Sequence, residues 1–247
     1  ERHWSTGRAM NNLAYLYELL GGVEKAVPLY EEVLQLRRDF YGPEHVDTLD
    51  AASNLADALA SLGRLEEAEM ILRDTIAIET RVQGERHPST LITVNNLASV
   101  LREQGSLSEA LELAAAVTEL QIEALGPDHP NSLIFASNHA LVLIELGRYQ
   151  EADRSLEALI ERAREILPSD HEITGVLYTR HGRALREQEK LEAAESALLE
   201  ARRILIDGVG VEGERREQLF QHFHDLYEAW GRPDARQAAL EVMHTAD

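Results

Sequence analysis

Apolar residues recur along this chain at three- and four-residue steps, in stretches that glycines interrupt. From Val46 to Leu62 this spacing predicts an amphipathic helix, and from Leu65 to Val82 it predicts a second one. Gly63 lies between the two stretches, and a glycine is typical of the position just past a helix end. The pattern therefore predicts pairs of helices that are joined by short turns.

Four types of residue recur along the chain at a fixed interval of 42 residues. They are a first-helix asparagine (Asn12, Asn54, Asn96, Asn138), a turn glycine (Gly21, Gly63, Gly105, Gly147 and later Gly231), a second-helix alanine (Ala26, Ala68, Ala110, Ala152, Ala194) and a histidine before the next pair (His45, His87, His129, His171). A period of this length is the signature of a helical repeat array, in which each repeat packs on its neighbours.

The period predicts about six helix pairs. First helices are expected near 4–20, 46–62, 88–104, 130–146, 172–188 and 214–230. Second helices are expected near 23–41, 65–83, 107–125, 149–166, 191–207 and 233–246. The periodic alanines are expected where helices cross closely, so that a larger side chain there would cost about 1–3 kcal/mol. The last repeats depart from the pattern, with His181-Gly182 and Phe223-His224 in place of Leu-Ala and Glu189 in place of the turn glycine.

Composition narrows the classes of partner. The formal net charge of −20 repels a phosphate backbone and an anionic membrane surface, so we expect neither nucleic acid nor a membrane as partner. No apolar run approaches the ~18 residues of a membrane-spanning helix.

The chain has no cysteine, which fits a reducing compartment, and we expect a cytoplasmic location. It begins at Glu1 rather than with a methionine, so we expect a processed chain or a piece of a longer one.

The spacing of Tyr17, Gly21, Ala26 and Tyr30 resembles that of the tetratricopeptide repeat (TPR). The longer period, the Asn-Asn-Leu-Ala step of the first helices and the sequence Leu-Gly-Pro-Asp-His-Pro-Asn-Ser-Leu at 125–133 resemble the kinesin-light-chain type of this repeat. The resemblance implies an all-α fold, a right-handed superhelical α-α solenoid of about six TPR helix pairs. It also implies a single domain over 1–247, with repeats at approximately 4–45, 46–87, 88–129, 130–171, 172–213 and 214–247.

The resemblance further implies a concave groove that is lined by the first helices and holds a peptide or a partner protein. We call the first-helix positions that match the family's groove the first-helix face. In the first two repeats they are Arg8, Asn11, Tyr15, Glu18, Asp50, Ser53, Asp57 and Ser61, so the face begins acidic. In the third and fourth repeats they are Ile92, Asn95, Ser99, Arg102, Ile134, Ser137, Leu141 and Ile144, so the isoleucines and Leu141 make the middle of the face apolar. In the fifth and sixth repeats they are Val176, Thr179, Arg183, Arg186, Gln218, Gln221, Asp225 and Glu228. The predicted peptide-binding residues are Asn12, Asn54, Asn95, Asn96, Ser99, Arg102, Ile134, Asn138, Leu141, Arg183 and Arg186.

Two interpretations of these residues stay open from the sequence. The periodic asparagines either pair with the backbone of an extended peptide, since an amide both donates and accepts, or bond neighbouring helices and loops. Arg102, Arg183 and Arg186 either receive the acidic flank of a peptide or pair with nearby Glu103 and Glu187. No lysine falls on the first-helix face, so the family's two-lysine clamp for a C-terminal carboxylate is missing.

Two sequence features could suggest a metal site or a nucleotide site, but neither has the required geometry or structural context. Equivalent residues of stacked repeats lie about 10 Å apart, whereas zinc holds a histidine nitrogen at about 2 Å, so we expect the periodic histidines to cap helices or pack loops. The glycines of 208–213 match a dinucleotide fingerprint by letter, but a predicted helix rather than a strand precedes them. With no nucleophile–base pair or phosphate loop, the sequence predicts no enzyme activity, no metal and no cofactor.

The sequence thus predicts a non-catalytic scaffold for protein interaction. One alternative is a regulatory TPR segment of a larger signalling protein, with a kinase or nucleotide-binding domain outside this chain. Another is weak self-association through the C-terminal repeat, whose aromatic residues Phe220, Phe223, Tyr227 and Trp230 either form a contact surface or cap the core.

Overall fold

The computed structural model describes residues 4–208, 214–232 and 234, and these residues form eleven α-helices and no strand. The helices are α1 (Trp4–Leu19), α2 (Val23–Tyr41), α3 (Val46–Ser61), α4 (Leu65–Val82), α5 (Pro88–Glu103), α6 (Leu107–Leu125), α7 (Pro130–Glu145), α8 (Tyr149–Ile166), α9 (Glu172–Arg186), α10 (Leu191–Arg202) and α11 (Glu214–Ala229). A π-helix, Arg203–Gly208, continues α10. The predicted starts of the eleven described helices coincide with the observed starts. The ends agree within two residues, except that α10 ends five residues before its predicted end, where the π-helix follows. Nearly all of the predicted helix 233–246 lies outside the described residues.

The chain divides into two compact units, residues 1–124 and 125–247. In the first unit α1 packs on α2, α2 on α3, α3 on α4 and α4 on α5. In the second unit α7 packs on α8, α8 on α9, α9 on α10 and α10 on α11. Each unit is therefore a series of helix pairs in chain order, which confirms the predicted all-α class. That the two units form one domain stays a prediction.

The periodic histidines cap the first helices. In each case the histidine is the residue before the helix, and its Nδ1 accepts a hydrogen bond from the backbone N–H two residues on. The bonds run from Asp47 N to His45 at 3.2 Å, from Ser89 N to His87 at 3.3 Å, from Asn131 N to His129 at 3.1 Å and from Ile173 N to His171 at 3.2 Å. An N-terminal N–H that would lack a helical partner is satisfied this way. The predicted capping role is confirmed.

The turn within each helix pair needs a left-handed backbone. Gly63 and Gly147, for example, have φ of 74° and 75°, which glycine adopts without the steric cost that a β-carbon brings. At the equivalent place in the fifth repeat Glu189 takes a φ of 60°, and it is the only non-glycine residue of the described chain with positive φ. The fifth repeat therefore keeps the geometry of the turn although it has lost the glycine.

The periodic small residues lie in the packed interior, as predicted. The first-helix alanines and the second-helix alanines are all buried: Ala14, Ala56, Ala98 and Ala140, and Ala26, Ala68, Ala110, Ala152 and Ala194. In the fifth repeat Gly182 takes the first-helix place, and a β-carbon there would come within 2.7 Å of Leu198 Cγ. The crossing of the two helices is thus closer in this repeat than an alanine allows without movement.

The aromatic residues of the last described helix pack inward. Phe220, Phe223 and Tyr227 are buried in one cluster with apolar residues of α9, α10 and the π-helix, and the partly buried Trp230 packs against this cluster. Of the two interpretations of these rings, capping of the core is therefore the one that the structure supports. Phe220, Phe223 and Tyr227 are therefore not exposed, whereas Trp230 is partly accessible.

Candidate functional site

A cavity of about 310 Å³ lies in the first unit where α1, α2 and α3 meet. We call it the carboxylate cavity, and its lining residues are Asn11, Asn12, Tyr15, Glu18, Tyr30, Asn54 and Asp57. Most of them belong to the predicted first-helix face of the first two repeats. The structure therefore brings these predicted positions together around one space.

Helix geometry explains how two short sequence stretches supply most of the cavity wall. Asn11, Tyr15 and Glu18 follow each other at steps of four and three residues, so they share one face of α1. Asn54 and Asp57 are three residues apart and share one face of α3. Two adjacent first helices thus present amide, phenol and carboxylate groups to the same cavity.

Three hydrogen bonds fix the polar groups of the cavity. Tyr30 Oη donates to Glu18 Oε2 at 2.7 Å. Asn96 Nδ2, from α5, donates to both oxygens of Asp57 at 3.0 and 3.2 Å. The third bond runs from Asn54 Nδ2 to Asn11 Oδ1 at 3.3 Å.

Glu18 and Asp57 interact electrostatically across the cavity. Burial raises the pKa of Glu18, although the hydrogen bond from Tyr30 opposes this change. The side chain of Asp57 is exposed to solvent, yet the residues around it partly desolvate the carboxylate. This desolvation and the negative charge of Glu18 raise the pKa of Asp57 to about 7, against the bond from Asn96. The same carboxylates add to burial in raising the pKa of the Tyr30 phenol. The cavity is therefore an electronegative site that favours a bound proton or cation.

Tyr30 is the one cavity residue on a second helix, and the prediction of site residues missed it. The sequence did carry a signal. Tyr30 bears the only hydroxyl at a position that the next four repeats fill with an aliphatic residue, namely Leu72, Ala114, Leu156 and Leu198. A polar group in an otherwise apolar series indicates a local partner, which here is Glu18.

The periodic asparagines take part in bonds between consecutive first helices. Asn54 donates to Asn11 and Asn96 donates to Asp57, in each case one repeat back. Arg180 stands at the equivalent place in the fifth repeat and donates from Nη1 to Ser137 Oγ at 2.6 Å. The structural role of this series, one of the two open interpretations, is therefore supported. Asn12, the first of the series, lines the carboxylate cavity and makes no side-chain hydrogen bond with the described residues.

Three residues that the sequence placed on the first-helix face are buried, and these placements are corrected. Asn95 is 7% exposed, Ser137 at the same place in the next repeat is 2% exposed, and Ile144 is 2% exposed. Asn95 stands at the same place in the repeat as Asn11, which meets the asparagine of the next first helix, so this position lies at the junction of first helices. The remaining predicted residues of α5 and α7 are at least partly accessible: Asn96, Ser99, Arg102, Ile134, Asn138 and Leu141. Among them Ile134 is exposed, and the Ser99 hydroxyl donates back to its own helix at Asn95 O.

Each of the three predicted arginines already has a carboxylate partner. The pairs are Arg102 with Glu103 at 2.7 Å, Arg183 with Glu145 at 3.5 Å, and Arg186 with Asp225 at 2.8 Å and with Glu187. The interpretation in which Arg102 and Arg186 pair with Glu103 and Glu187 is confirmed. The acidic flank of a peptide would have to displace these carboxylates, so the arginines are poor candidates for its recognition.

The repeats can now be compared with known proteins. The tetratricopeptide-repeat family matches residues 5–78, 51–123 and 132–207, well over half of the chain. The chain belongs to the tetratricopeptide-repeat family. Its structure is similar to the nearly identical TPR-like repeats of a Podosopora anserina kinesin light chain, with 28% identity, a TM-score of 0.67 and coverage of 83% of this chain and 97% of that one. The repeats are thus TPRs of kinesin-light-chain type.

Two more distant structures share the TPR fold. BtubC (BKLC) from P. vanneervenii is 14% identical, with a TM-score of 0.70 over 89% of this chain and 88% of that one. PlcR from Bacillus thuringiensis, in complex with the peptide PapR7 and DNA, is 19% identical, with a TM-score of 0.64 over 89% of this chain and 73% of that one. No curated protein sequence matches the chain. TPR proteins are generally non-catalytic scaffolds.

No group of three or more histidine, aspartate or glutamate side chains in the described ranges is arranged to hold a metal ion. Nor does any helix within those ranges combine the length and the apolar character that crossing a membrane requires.

Proposed function

We propose that this TPR chain is a protein-interaction scaffold that binds a segment of a partner protein on its first-helix face. The observation that carries the proposal is the carboxylate cavity, where α1 and α3 hold predicted face positions around a space of about 310 Å³. Small-ligand sites span about 300–1,000 Å³, so the space suits a single side chain of a partner.

Each unit also has an exposed apolar side chain at a first-helix-face position, which supports the proposal. Ile92 and Ile134 occupy the same place in consecutive repeats, and both are exposed. Tyr15, at the rim of the carboxylate cavity, is exposed too. Aromatic and aliphatic groups beside polar ones are typical of the anchoring points at protein interfaces. The scaffold role also agrees with the general behaviour of TPR proteins, and the structure of PlcR includes a bound peptide.

A peptide-display selection against the purified chain tests this proposal. It would run in parallel on a variant with Ile92→Glu and Ile134→Glu, which places charge on the first-helix face of each unit. The matched control carries Met70→Glu and Leu199→Glu, since these residues are exposed on second helices, one in each unit.

We expect peptides to enrich on the parent and the control and to be lost on the first-helix variant. Equal enrichment on all three proteins would place binding elsewhere. If no peptide enriches on any of them, binding of short segments on this face is withdrawn.

A further inference from the structure

We propose that the carboxylate cavity binds the guanidinium group of an arginine side chain of a partner protein. The inference rests on the proposed scaffold function and names the chemistry of the segment that the first-helix face receives. It also replaces the acidic peptide flank that the sequence suggested with a basic residue.

The second unit has an arginine at the place in the repeat that Glu18 occupies in the first unit. Four periods of 42 residues after Glu18 and Asp57 stand Arg186 and Asp225. Arg186 Nη1 donates to Asp225 Oδ2 at 2.8 Å. In the second unit, therefore, a guanidinium lies between these two repeat positions and neutralises the aspartate.

The first unit has the aspartate of this pair but not the arginine. Glu18 replaces it, so two carboxylates meet where the second unit has a salt bridge. No lysine or arginine of the described chain lines the carboxylate cavity. The repeat geometry thus accommodates a guanidinium beside the aspartate. Because the first unit has no arginine at this position, a partner protein can provide the guanidinium there.

The other cavity residues suit a planar cation with several donors. Glu18 Oε1 accepts no hydrogen bond from the described residues, and Asp57 accepts only from Asn96. Asn12 offers an unused amide oxygen. A guanidinium carries five N–H donors in one plane and stacks on aromatic rings, so it can reach these acceptors and lie on the exposed ring of Tyr15. An ammonium group has three donors and does not stack in this way.

The titration of the cavity supports the same conclusion. The polar groups near Asp57 come from three helices: Glu18 and Tyr15 of α1 and Tyr30 of α2 line the same cavity, and Asn96 of α5 donates to the carboxylate. None of them is a cation, and the cavity and the charge of Glu18 hold the pKa of Asp57 at about 7. A bound guanidinium would take the place of the proton, so its binding should tighten as the pH rises through this value.

The test uses NMR on the isotope-labelled full chain, with acetyl-arginine methylamide as probe. Acetyl-citrulline methylamide has nearly the same shape without the charge and serves as the neutral comparison. We expect the arginine probe to shift the side-chain amide signals of Asn11, Asn12 and Asn54, with an affinity at least tenfold above that of citrulline and about tenfold higher at pH 8 than at pH 6.

Two variants make the assignment specific. Glu18→Gln with Asp57→Asn should abolish the response, while Asp74→Asn with Glu85→Gln removes the same charge at exposed sites of the same unit and should leave it unchanged. Glu18→Arg recreates the pair that Arg186 and Asp225 form. It should therefore fill the cavity from within, block the probe and lower the pKa of Asp57.

The outcomes separate this inference from the scaffold proposal. Equal binding of citrulline, or of an acetyl-lysine methylamide, overturns the assignment to arginine, as does unchanged binding to the Glu18→Gln/Asp57→Asn variant. If the selected peptides bind the Glu18→Gln/Asp57→Asn variant as well as the parent, the scaffold proposal is retained and the cavity inference is overturned. If the arginine probe binds but the selection enriches no peptide, the cavity inference is retained and the scaffold proposal is overturned.

Discussion

Tyr30 Oη donates a 2.7 Å hydrogen bond to Glu18 Oε2 and so joins the second helix of the first repeat to the wall of the carboxylate cavity. Replacing the phenol by Tyr30→Phe leaves the partly buried carboxylate without this donor. We expect the free energy of unfolding to fall by about 1 kcal/mol and the pKa of Glu18 to rise further, because the bond from Tyr30 lowers it.

Urea unfolding of the parent and the variant measures the loss in stability. Tyr17→Phe is the matched control, since the Tyr17 hydroxyl makes no hydrogen bond with the described residues and its ring keeps the contact with Lys25. Equal stability of all three proteins would show that the bond between Tyr30 and Glu18 contributes nothing.

The raised pKa of Asp57 predicts how stability depends on pH. The pKa lies at about 7 in the folded chain against an ordinary value of 3.8, so between these values the folded state binds more protons than the unfolded state. Stability should therefore decrease as the pH rises from about 4 to about 7, and then level off. Asp57→Asn should remove this contribution and flatten the profile.

The measurement is a series of unfolding curves between pH 4 and pH 8, compared between the parent, Asp57→Asn and Asp74→Asn. Asp74 is exposed on α4 and serves as the control for a lost charge. A control profile as flat as that of Asp57→Asn would show that general charge repulsion, rather than the cavity, sets the slope.

Glu79 is a second carboxylate in an unfavourable place. It is 2% exposed, and its Oε2 has no hydrogen-bond partner among the described residues. Burial raises its pKa, so its contribution to stability falls as the pH rises above 4.5 through the folded-state value. Gln121 occupies the equivalent place in the next repeat and is also buried, which shows that a neutral amide of this size fits the position.

We therefore expect Glu79→Gln to stabilise the chain at pH 7 by about 1 kcal/mol or more, because it removes a buried charge. The reciprocal change, Gln121→Glu, should destabilise it. Denaturant unfolding at pH 7 and at pH 4.5 checks both, and the gain from Glu79→Gln should shrink at the lower pH. A gain of the same size at both values would mean that the charge of Glu79 is not its cause.

Substitution of a capping histidine tests how much the cap contributes to stability. His87 Nδ1 accepts from Ser89 N at 3.3 Å, and asparagine can accept the same bond with its side-chain oxygen. We expect His87→Ala to lower the free energy of unfolding by about 1 kcal/mol and His87→Asn to retain most of it. Urea unfolding at neutral pH measures both variants. Equal losses would show that the ring contributes through packing rather than through the cap.

The sequence alone was sufficient to predict the helices and their caps. Each position of the repeat is sampled several times along the chain, so that a single chance residue does not alter the pattern. This is why the bounds of α3, Val46–Ser61, and of α5, Pro88–Glu103, agree with the predicted bounds within one residue. The period also predicted that His87 either caps a helix or packs a loop, and its bond from Ser89 N shows that it caps α5.

The composition of the site could not be predicted in the same way. The period says which residues share a position, but it does not say which residue of the next repeat stands opposite. Glu18 and Arg186 share a position, and only the structure shows that Asp57 faces the first and Asp225 the second. The burial of Asn95, likewise, depends on how closely two first helices approach each other, and neither helix carries that information alone.

Two glycines at the same place in the repeat give a final prediction in which one substitution has opposite effects. Gly7 and Gly175 stand four periods of 42 residues apart, in α1 and α9. A β-carbon at Gly7 would meet nothing within 4 Å, whereas one at Gly175 would lie 2.5 Å from Leu205 Cγ and 3.2 Å from Ile204 Cγ2. The π-helix that follows α10 thus places its apolar side chains where the other repeats have room for a larger residue.

We expect Gly7→Ala to stabilise the chain by up to about 1 kcal/mol, since alanine favours the helix over glycine by that amount. Gly175→Ala gains the same helix preference but forces Leu205 out of its packed position. Overpacking of this kind costs about 1–3 kcal/mol, so the net effect should be a loss. Urea unfolding of both variants measures the two signs, and a third variant, Gly175→Ala with Leu205→Ala, separates the causes. If the clash with Leu205 is responsible, the two changes should be less destabilising together than the sum of their separate effects; additive losses would contradict this explanation.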